Sequence, residues 1–157
     1  MSILDIVTHP SAYLRKESAP VKKKYIKMTE CQDFIDNMVE TMYEKDGIGL
    51  AAPQVAKNLR IIVVADGKKP LVFINPTLYR KSWGKVKVEE GCLSVPGVWG
   101  MVERHRAVSV MALDRDGKKI RMRAKGMLAI VLQHEIDHLN GVLFIDKAED
   151  LSEPPKM

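Results

Sequence analysis

The amino-acid sequence predicts an α+β fold: antiparallel β-sheets packed around a central α-helix that bears His-Glu-x-x-His, with another helix towards the N-terminus. Three observations predict it. Strand-like segments at 60–65, 71–75, 85–89, 107–113 and 119–123 follow one another without the regular helical interruptions of a doubly wound sheet. Asp114, Arg115, Asp116 and Gly117 form a hairpin turn signal between the last two. Residues 127–132 are apolar on every side, which reads as the first turns of a buried helix.

Taken in order, residues 1–20 carry prolines at 10 and 20 and read as an extended arm lying over the core. A helix follows. Thr29 and Gln32 fit a capping box, and Cys31, Phe34, Ile35, Met38 and Met42 recur at helical spacing on one apolar face. Cys31 lies on that face and reads as a small core residue. The helix ends by Asp46 and Gly47. Residues 47–54, Gly-Ile-Gly-Leu-Ala-Ala-Pro-Gln, are a tight, close-packed segment because glycine permits close backbone approach. No phosphate-loop pattern is present there. Residues 60–65 hold a β-branched run, 71–75 are ended by Pro76, and 85–89 alternate as a half-buried strand. Gly141 falls where the central helix needs a C-cap. The tail, from about 149 to 157, carries two prolines and is expected to be loose.

With 157 residues and no internal repeat, the chain is expected to be a single domain, 1–157. Apolar content of 46% and charged content of 29% are ordinary for a soluble globular protein. No apolar run approaches the roughly 20 residues that cross a bilayer, and the N-terminus lacks the features of a signal peptide. Two cysteines make no disulfide framework, so a cytoplasmic location is expected. The net charge of +5 is mild. Lys22, Lys23, Lys24 and Lys27 are its densest run, read as a solvated loop rather than a phosphate contact, and no nucleic-acid motif accompanies it.

The chemistry concentrates at 133–141. At about 3.6 residues per turn, His134 and His138 stack on one face, roughly 6 Å apart along the axis, so two imidazoles can reach one metal ion. Glu135 stands about 100° round the helix. It can face a water at the metal without being a ligand, which suits a general base. A pair of core histidines is the bland alternative. A catalytic site needs a third ligand. Only 16 residues follow Gly141, which points upstream, to Glu90, Gly91, Cys92, Leu93 and Ser94 after a strand. A thiolate is a strong ligand for zinc or ferrous iron. Taken alone, Cys92 reads first as a buried structural thiol.

Three stretches in order, G-I-G-L-A-A-P-Q at 47–54, E-G-C-L-S at 90–94 and Q-H-E-I-D-H-L-N-G at 133–141, resemble the peptide deformylases, and the likeness runs from about His9 to about Asp146. The resemblance implies a small α+β metallohydrolase that removes the formyl group from the initiator methionine of nascent polypeptides and releases formate. It implies Cys92, His134 and His138 as metal ligands, Glu135 as acid–base residue, and Gln54 with the backbone N–H of Leu93 as the oxyanion site. The metal it implies is one Fe2+ per chain, with Zn2+, Ni2+ or Co2+ able to replace it.

Met127, Ile130 and Val131 lie one or two turns before His134 on its face, placed to line an apolar pocket for methionine. Ile48, Gly49 and Val88 close the other side by family position. Plain core packing is the alternative for each aliphatic residue. Glu90 and Arg104 pair by analogy with the family. Asp137, an acid near a helix C-terminus, needs a cationic or hydrogen-bonding partner. Two departures from the family stand out: almost no helical extension after Ile145, and Trp99 near a position where relatives often carry arginine. The partners expected are formylated nascent chains and transiently the ribosome, with no membrane, no specific nucleic acid and a monomeric state. An HExxH peptidase and a catalytically dead RNA-binding module are the competing readings.

Overall fold

In the computed structural model, which describes residues 2–67 and 69–152, the chain enters as an arm across the core, with a 3-10 turn at Ala12–Arg15. Leu4 and Ile6 pack on apolar neighbours. The arm's amides find partners in the body: Leu4 N–H donates to Thr41 Oγ1 at 2.8 Å, Val7 N–H to the Gln54 carbonyl at 2.7 Å and His9 N–H to the Ser94 carbonyl at 2.7 Å.

The named elements are α1 (Lys23–Ile26), α2 (Thr29–Glu44), β1 (Gly49–Ala51), β2 (Ile61–Asp66), β3 (Lys69–Lys81), β4 (Lys85–Cys92), β5 (Val95–His105), β6 (Ala107–Leu113), β7 (Lys119–Lys125), α3 (Gly126–Leu139) and β8 (Glu149–Ser152). One antiparallel sheet runs β1-β2-β3-β6-β7 and a second runs β4-β5-β8. β2 explains the layering. Ile61 and Val63 face Ile35, Met38 and Met42 of α2. Ile62 and Val64 face Leu132, Ile136 and Leu139 of α3. Alternate side chains of a strand point to opposite faces, so a wholly apolar strand is the one that helices cover on both sides. Each such side chain contributes roughly 1.5–3 kcal/mol on burial. A third apolar cluster, with Leu14, Val95, Val102, Leu143 and Phe144, joins the small sheet to the chain after α3.

Four expectations need correction. The capping box is not formed. Met28 is the N-cap of α2, without a side-chain cap. The Gln32 amide instead donates to the carbonyls of Ile26 and Arg115, both at 2.7 Å, and accepts from Arg115 Nε at 3.0 Å. Interior carbonyls of two turns needed donors, and that demand outweighs a local cap.

Pro76 does not end its strand. β3 runs on to Lys81, with register shifts between Ile74 and Thr77 and between Leu78 and Arg80. A proline is tolerated at a bulge because no ladder N–H is required of it.

The tail is not loose from 149. Residues 149–152 are β8, paired with β5 through Trp99 and Met101. Gly100 makes room for it: a Cβ there would stand 2.7 Å from Ala148 Cβ and 2.8 Å from Leu151 Cδ2. Residues 153–157 lie outside the described residues.

The run 127–132 is not buried all round. Met127 is 63% exposed, because it faces the open cavity and not the core cluster that Ala129 and Leu132 join.

The turn 114–117 joins β6 and β7 as expected. Gly141, at φ +76°, follows the last turn of α3. Among the described residues no helix is long and apolar enough to cross a membrane.

Candidate active site

α3 crosses beneath β1, and the β4–β5 turn bends over it. That arrangement brings three donor atoms together. Cys92 Sγ lies 3.3 Å from His138 Nε2, and the ligand atoms of Cys92, His134 and His138 all lie within 4.8 Å of one another. The two imidazoles stand edge to face, centroids 5.0 Å apart. The β4–β5 ladder shifts register between Glu90 and Cys92, so the thiol emerges at an irregularity rather than mid-strand.

The carboxylate of Glu90 receives the Nδ1–H of His134 at 2.7 Å, which leaves Nε2 with its lone pair for a cation. The same carboxylate accepts from Arg104 Nε at 2.7 Å and Nη2 at 2.9 Å. Arg104 Nη1 donates to Asp137 at 2.7 Å. Burial would raise the Glu90 carboxyl, but the hydrogen bonds from Arg104 and His134 outweigh it and hold it at about 2. Burial likewise pushes His134 down, yet hydrogen bonds to Cys92 and Glu90 and the charge of Glu135 raise it to about 10. A field that favours a proton on that imidazole also favours a metal cation at Nε2, and one thiolate with two imidazoles suits ferrous iron or zinc. His138 is held neutral, well below its ordinary value, chiefly by burial. A neutral imidazole is the ligating form. The residues therefore fit a divalent metal.

Glu135 is buried and its carboxyl is raised to about 7, first by desolvation. Its Oε2 has no hydrogen-bond partner among the described residues. Oε1 stands 3.9 Å from His134 Nε2. Gly49 opposes it: a Cβ there would meet Glu135 Oε1 at 2.7 Å. Gln54 is fixed by its own turn. Its Oε1 accepts the Ala51 N–H at 2.9 Å, which commits the NH2 group to Ser94 Oγ at 3.1 Å and Cys92 Sγ at 3.5 Å. Leu93 lies in the β4–β5 turn on the same wall, its side chain towards Gly47.

A cavity of about 490 Å³ opens over this cluster. Ile48, Gly49, Val88, Met127, Ile130 and Val131 all line it, together with Gln54, Cys92, His134 and Glu135. Ile48 and Met127 are largely exposed on its rim, whereas Val131 is buried at its base. Trp99 also lines it, with its indole over Gly91.

Three contributors were missed in the sequence. Ser94, fully buried, holds the Gln54 amide and the arm. Gln133 clamps α3 to β5, accepting His105 N–H and donating to its carbonyl, both at 2.9 Å. Lys147 lies 3.1 Å from Asp137. A glutamine in an otherwise apolar helical run was a readable signal for Gln133. Nothing local marked Lys147.

The family model for polypeptide deformylase matches residues 3–153. The chain belongs to the peptide deformylase family. It is 48% identical over 155 residues to the peptide deformylase of Halothermothrix orenii, covering 98% of each chain. It is 49% identical over 154 residues to that of Symbiobacterium thermophilum, covering 96% of this chain and 69% of the relative. Among solved structures, the Synechococcus elongatus peptide deformylase in complex with actinonin is 44% identical with a TM-score of 0.89, over 94% of this chain and 79% of that one. A class I type b peptide deformylase from Acinetobacter baumannii is 36% identical with a TM-score of 0.91, over 94% and 100%. As a peptide deformylase, this chain is a hydrolase. It removes the N-formyl group from the initiator methionine of newly made polypeptides and releases formate. The antiparallel sheets and few helices are those of the family fold.

Proposed function

We propose that deformylation in this chain uses one divalent metal held by Cys92, His134 and His138, with Glu135 as the acid–base residue and Gln54 and the Leu93 N–H as oxyanion donors. The observation that carries the reading is the convergence of three donor atoms within 4.8 Å, with Cys92 and His134 on the wall of the cavity that Glu135 and Gln54 also line. Held there by Cys92, His134 and His138, a divalent ion would supply a Lewis acid that lowers the pKa of water and polarises the formyl carbonyl. Glu135 accepts one proton from the attacking water. The new C–O bond places negative charge on the former carbonyl oxygen, which the Gln54 NH2 and the Leu93 N–H receive. Glu135 then returns its proton to the nitrogen as the C–N bond breaks, and the remaining hydroxyl proton passes to the released amine, so formate and an ammonium group leave. Burial raises this carboxyl and a bound cation would oppose the rise, so one group can both accept and return a proton.

Fe2+ is the physiological metal of this reading, with Zn2+, Ni2+ or Co2+ as functional substitutes; the S,N,N donor set supports all of them. Val131, Ile130 and Val88 give the methionine side chain an apolar wall, and Ile48 and Met127 flank its entrance. The protein works as a cytoplasmic monomer, meeting its substrates as they emerge from the ribosome.

The test is formate release from a formyl-Met tripeptide by nickel-loaded protein beside Glu135→Ala that retains its metal. Turnover lost only in the variant supports the base. A Cys92→Ala protein that still binds one metal per chain would refute the ligand set.

A further inference from the structure

We propose that the outer face of β3, β6 and β7, with the β3–β4 loop at its edge, is a docking surface for single-stranded RNA. α3 covers one face of these strands through Leu78, Val108, Val110, Met122 and Ala124. On the other face α2 packs against the half of the sheet nearer β1, and of β6 only Leu113 joins that contact. The remainder is open. It presents Tyr79, Met111, Arg80, Arg121 and Arg123, all exposed. The register aligns the arginines and Met111: Arg80 pairs with Ser109, Ser109 with Arg123, and Met111 with Arg121, while Tyr79 falls at the register shift between Leu78 and Arg80. Cross-strand partners share a face.

Charge identifies the partner. Residues 77–81, 107–113 and 119–125 hold Arg80, Lys81, Lys119, Arg121, Arg123 and Lys125 and no carboxylate. The nearest acids along these strands, Asp114 and Asp116, lie at the far turn, and Asp114 is engaged by its own turn amides. Two features go beyond attraction to any polyanion. The Arg121 guanidinium stands 5.9 Å over the Tyr79 ring. Trp83, at the edge of the face, is fully exposed. Its loop is nevertheless fixed. Ser82 N–H donates to Ala107 O at 2.9 Å and Arg106 N–H to Gly84 O at 3.0 Å, while Ser82 O is 2.7 Å from His105 Nδ1. Arg106 also lies across Gly84 beside it.

A fully solvated indole on a braced loop has little role in folding, since it buries nothing. Exposed aromatic rings among arginines match base stacking combined with phosphate contact. Cations on an edge strand also deter sheet-to-sheet pairing. That role would not require Arg80, which lies on an interior strand, or Trp83. None of Tyr79, Arg80, Trp83, Arg121 and Arg123 lines the catalytic cavity, so RNA held here leaves the site open to a peptide. The sequence hid this face because its cations alternate with core residues instead of forming a run.

The experiment is fluorescence anisotropy of a labelled oligouridylate of about 20 nucleotides, titrated with the full chain across a salt series, with formate release as the folding control. The wild type binds. The Arg80→Ala, Arg121→Ala, Arg123→Ala triple variant loses about tenfold or more in affinity, and its log–log salt slope falls by about 2, near 0.7 for each phosphate contact removed. Trp83→Ala, which removes no core contact, loses about fivefold or more with the slope unchanged, the signature of a lost stacking contact. Both variants keep wild-type formate release. Three results would overturn the proposal: no RNA binding at low salt; binding indifferent to Trp83 and equal for heparin, meaning general polyanion attraction; or Trp83-dependent binding to phosphatidylserine vesicles without Trp83-dependent binding to RNA, meaning a membrane surface.

Discussion

Oε1 of Glu90 lies 2.7 Å from Nδ1 of His134, and the same buried carboxylate is doubly bonded to Arg104. The chain Asp137–Arg104–Glu90–His134 thus links the back of α3 to the imidazole proposed to hold the metal. Replacing a carboxylate behind a ligating histidine weakens metal affinity by about 10–100-fold. Glu90→Gln is expected to do so while keeping the fold. Competitive chelator titration measures it, and unchanged affinity would remove Glu90 from the site's machinery.

Arg104→Met is expected to be worse for stability. It leaves Glu90 and Asp137 without their shared cation, and breaking a buried pair from one side costs about 3–5 kcal/mol. Urea unfolding of metal-free protein reads this. The pH dependence has a definite sign. Glu90 is held at about 2 against an ordinary 4.5, so its contribution is complete above about 4.5 and is lost as pH falls towards 2. The stability gap between wild type and Glu90→Gln should therefore shrink across that window. A gap independent of pH would contradict the assignment.

Glu135 gives a second pH prediction, this time in rate. Its carboxyl stands at about 7 because it is desolvated. A cation bound beside it favours the ionised form and lowers that value. The acid limb of kcat/KM is expected at or below 7, with activity falling as pH drops and the base becomes protonated. Glu135→Gln should lose at least about a hundredfold in kcat with metal content intact. An acid limb that persists unchanged in Glu135→Gln would assign it to another group.

How much of this was legible in the sequence follows from what kind of contact each residue makes. His134, Glu135 and His138 were readable because helical geometry fixes their mutual placement within two turns. The doubly buried β2 and the β6–β7 hairpin were readable from local pattern alone. Cys92 was not: on its own it was an ordinary buried thiol, and only the resemblance marked it as a ligand. The Thr29 cap failed because Gln32 answers to Arg115, 83 residues away, and no local rule sees that distance. β8 was hidden for a similar reason. A short exposed strand carries little pattern of its own, and the space that receives it is a missing side chain at Gly100.

Gln54 is held so that its amide can only donate towards Cys92 and Ser94. Gln54→Leu keeps most of the volume and removes the donor. Loss of one oxyanion donor costs about 10²–10³ in kcat. The unpaired Ala51 N–H adds about 1–3 kcal/mol of destabilisation. Steady-state kinetics at fixed metal occupancy separates the two effects. Wild-type kcat would show that the amide serves only the turn.

Gly49 makes a prediction from shape alone. Its φ lies outside the left-handed region, so alanine there meets no intrinsic backbone strain. The obstacle is packing: a Cβ would stand 2.7 Å from Glu135 Oε1 and 2.8 Å from Val131 Cγ1. The backbone of β1 is tied to β2 at Val64, so the strand cannot withdraw, and the carboxylate is the part that moves. Overpacking of this kind costs roughly 1–3 kcal/mol. A displaced base costs more in rate, since a 1 Å error in position can remove about a hundredfold. Gly49→Ala is expected to lower kcat by about 10–100-fold while metal stays at one ion per chain, because the atoms nearest the new methyl group belong to Glu135 and Val131, not to Cys92, His134 or His138. Kinetics and metal analysis on the same preparation decide it. A stable, fully metallated Gly49→Ala with wild-type kcat would mean that Glu135 tolerates displacement and that its position against β1 is incidental to the reaction.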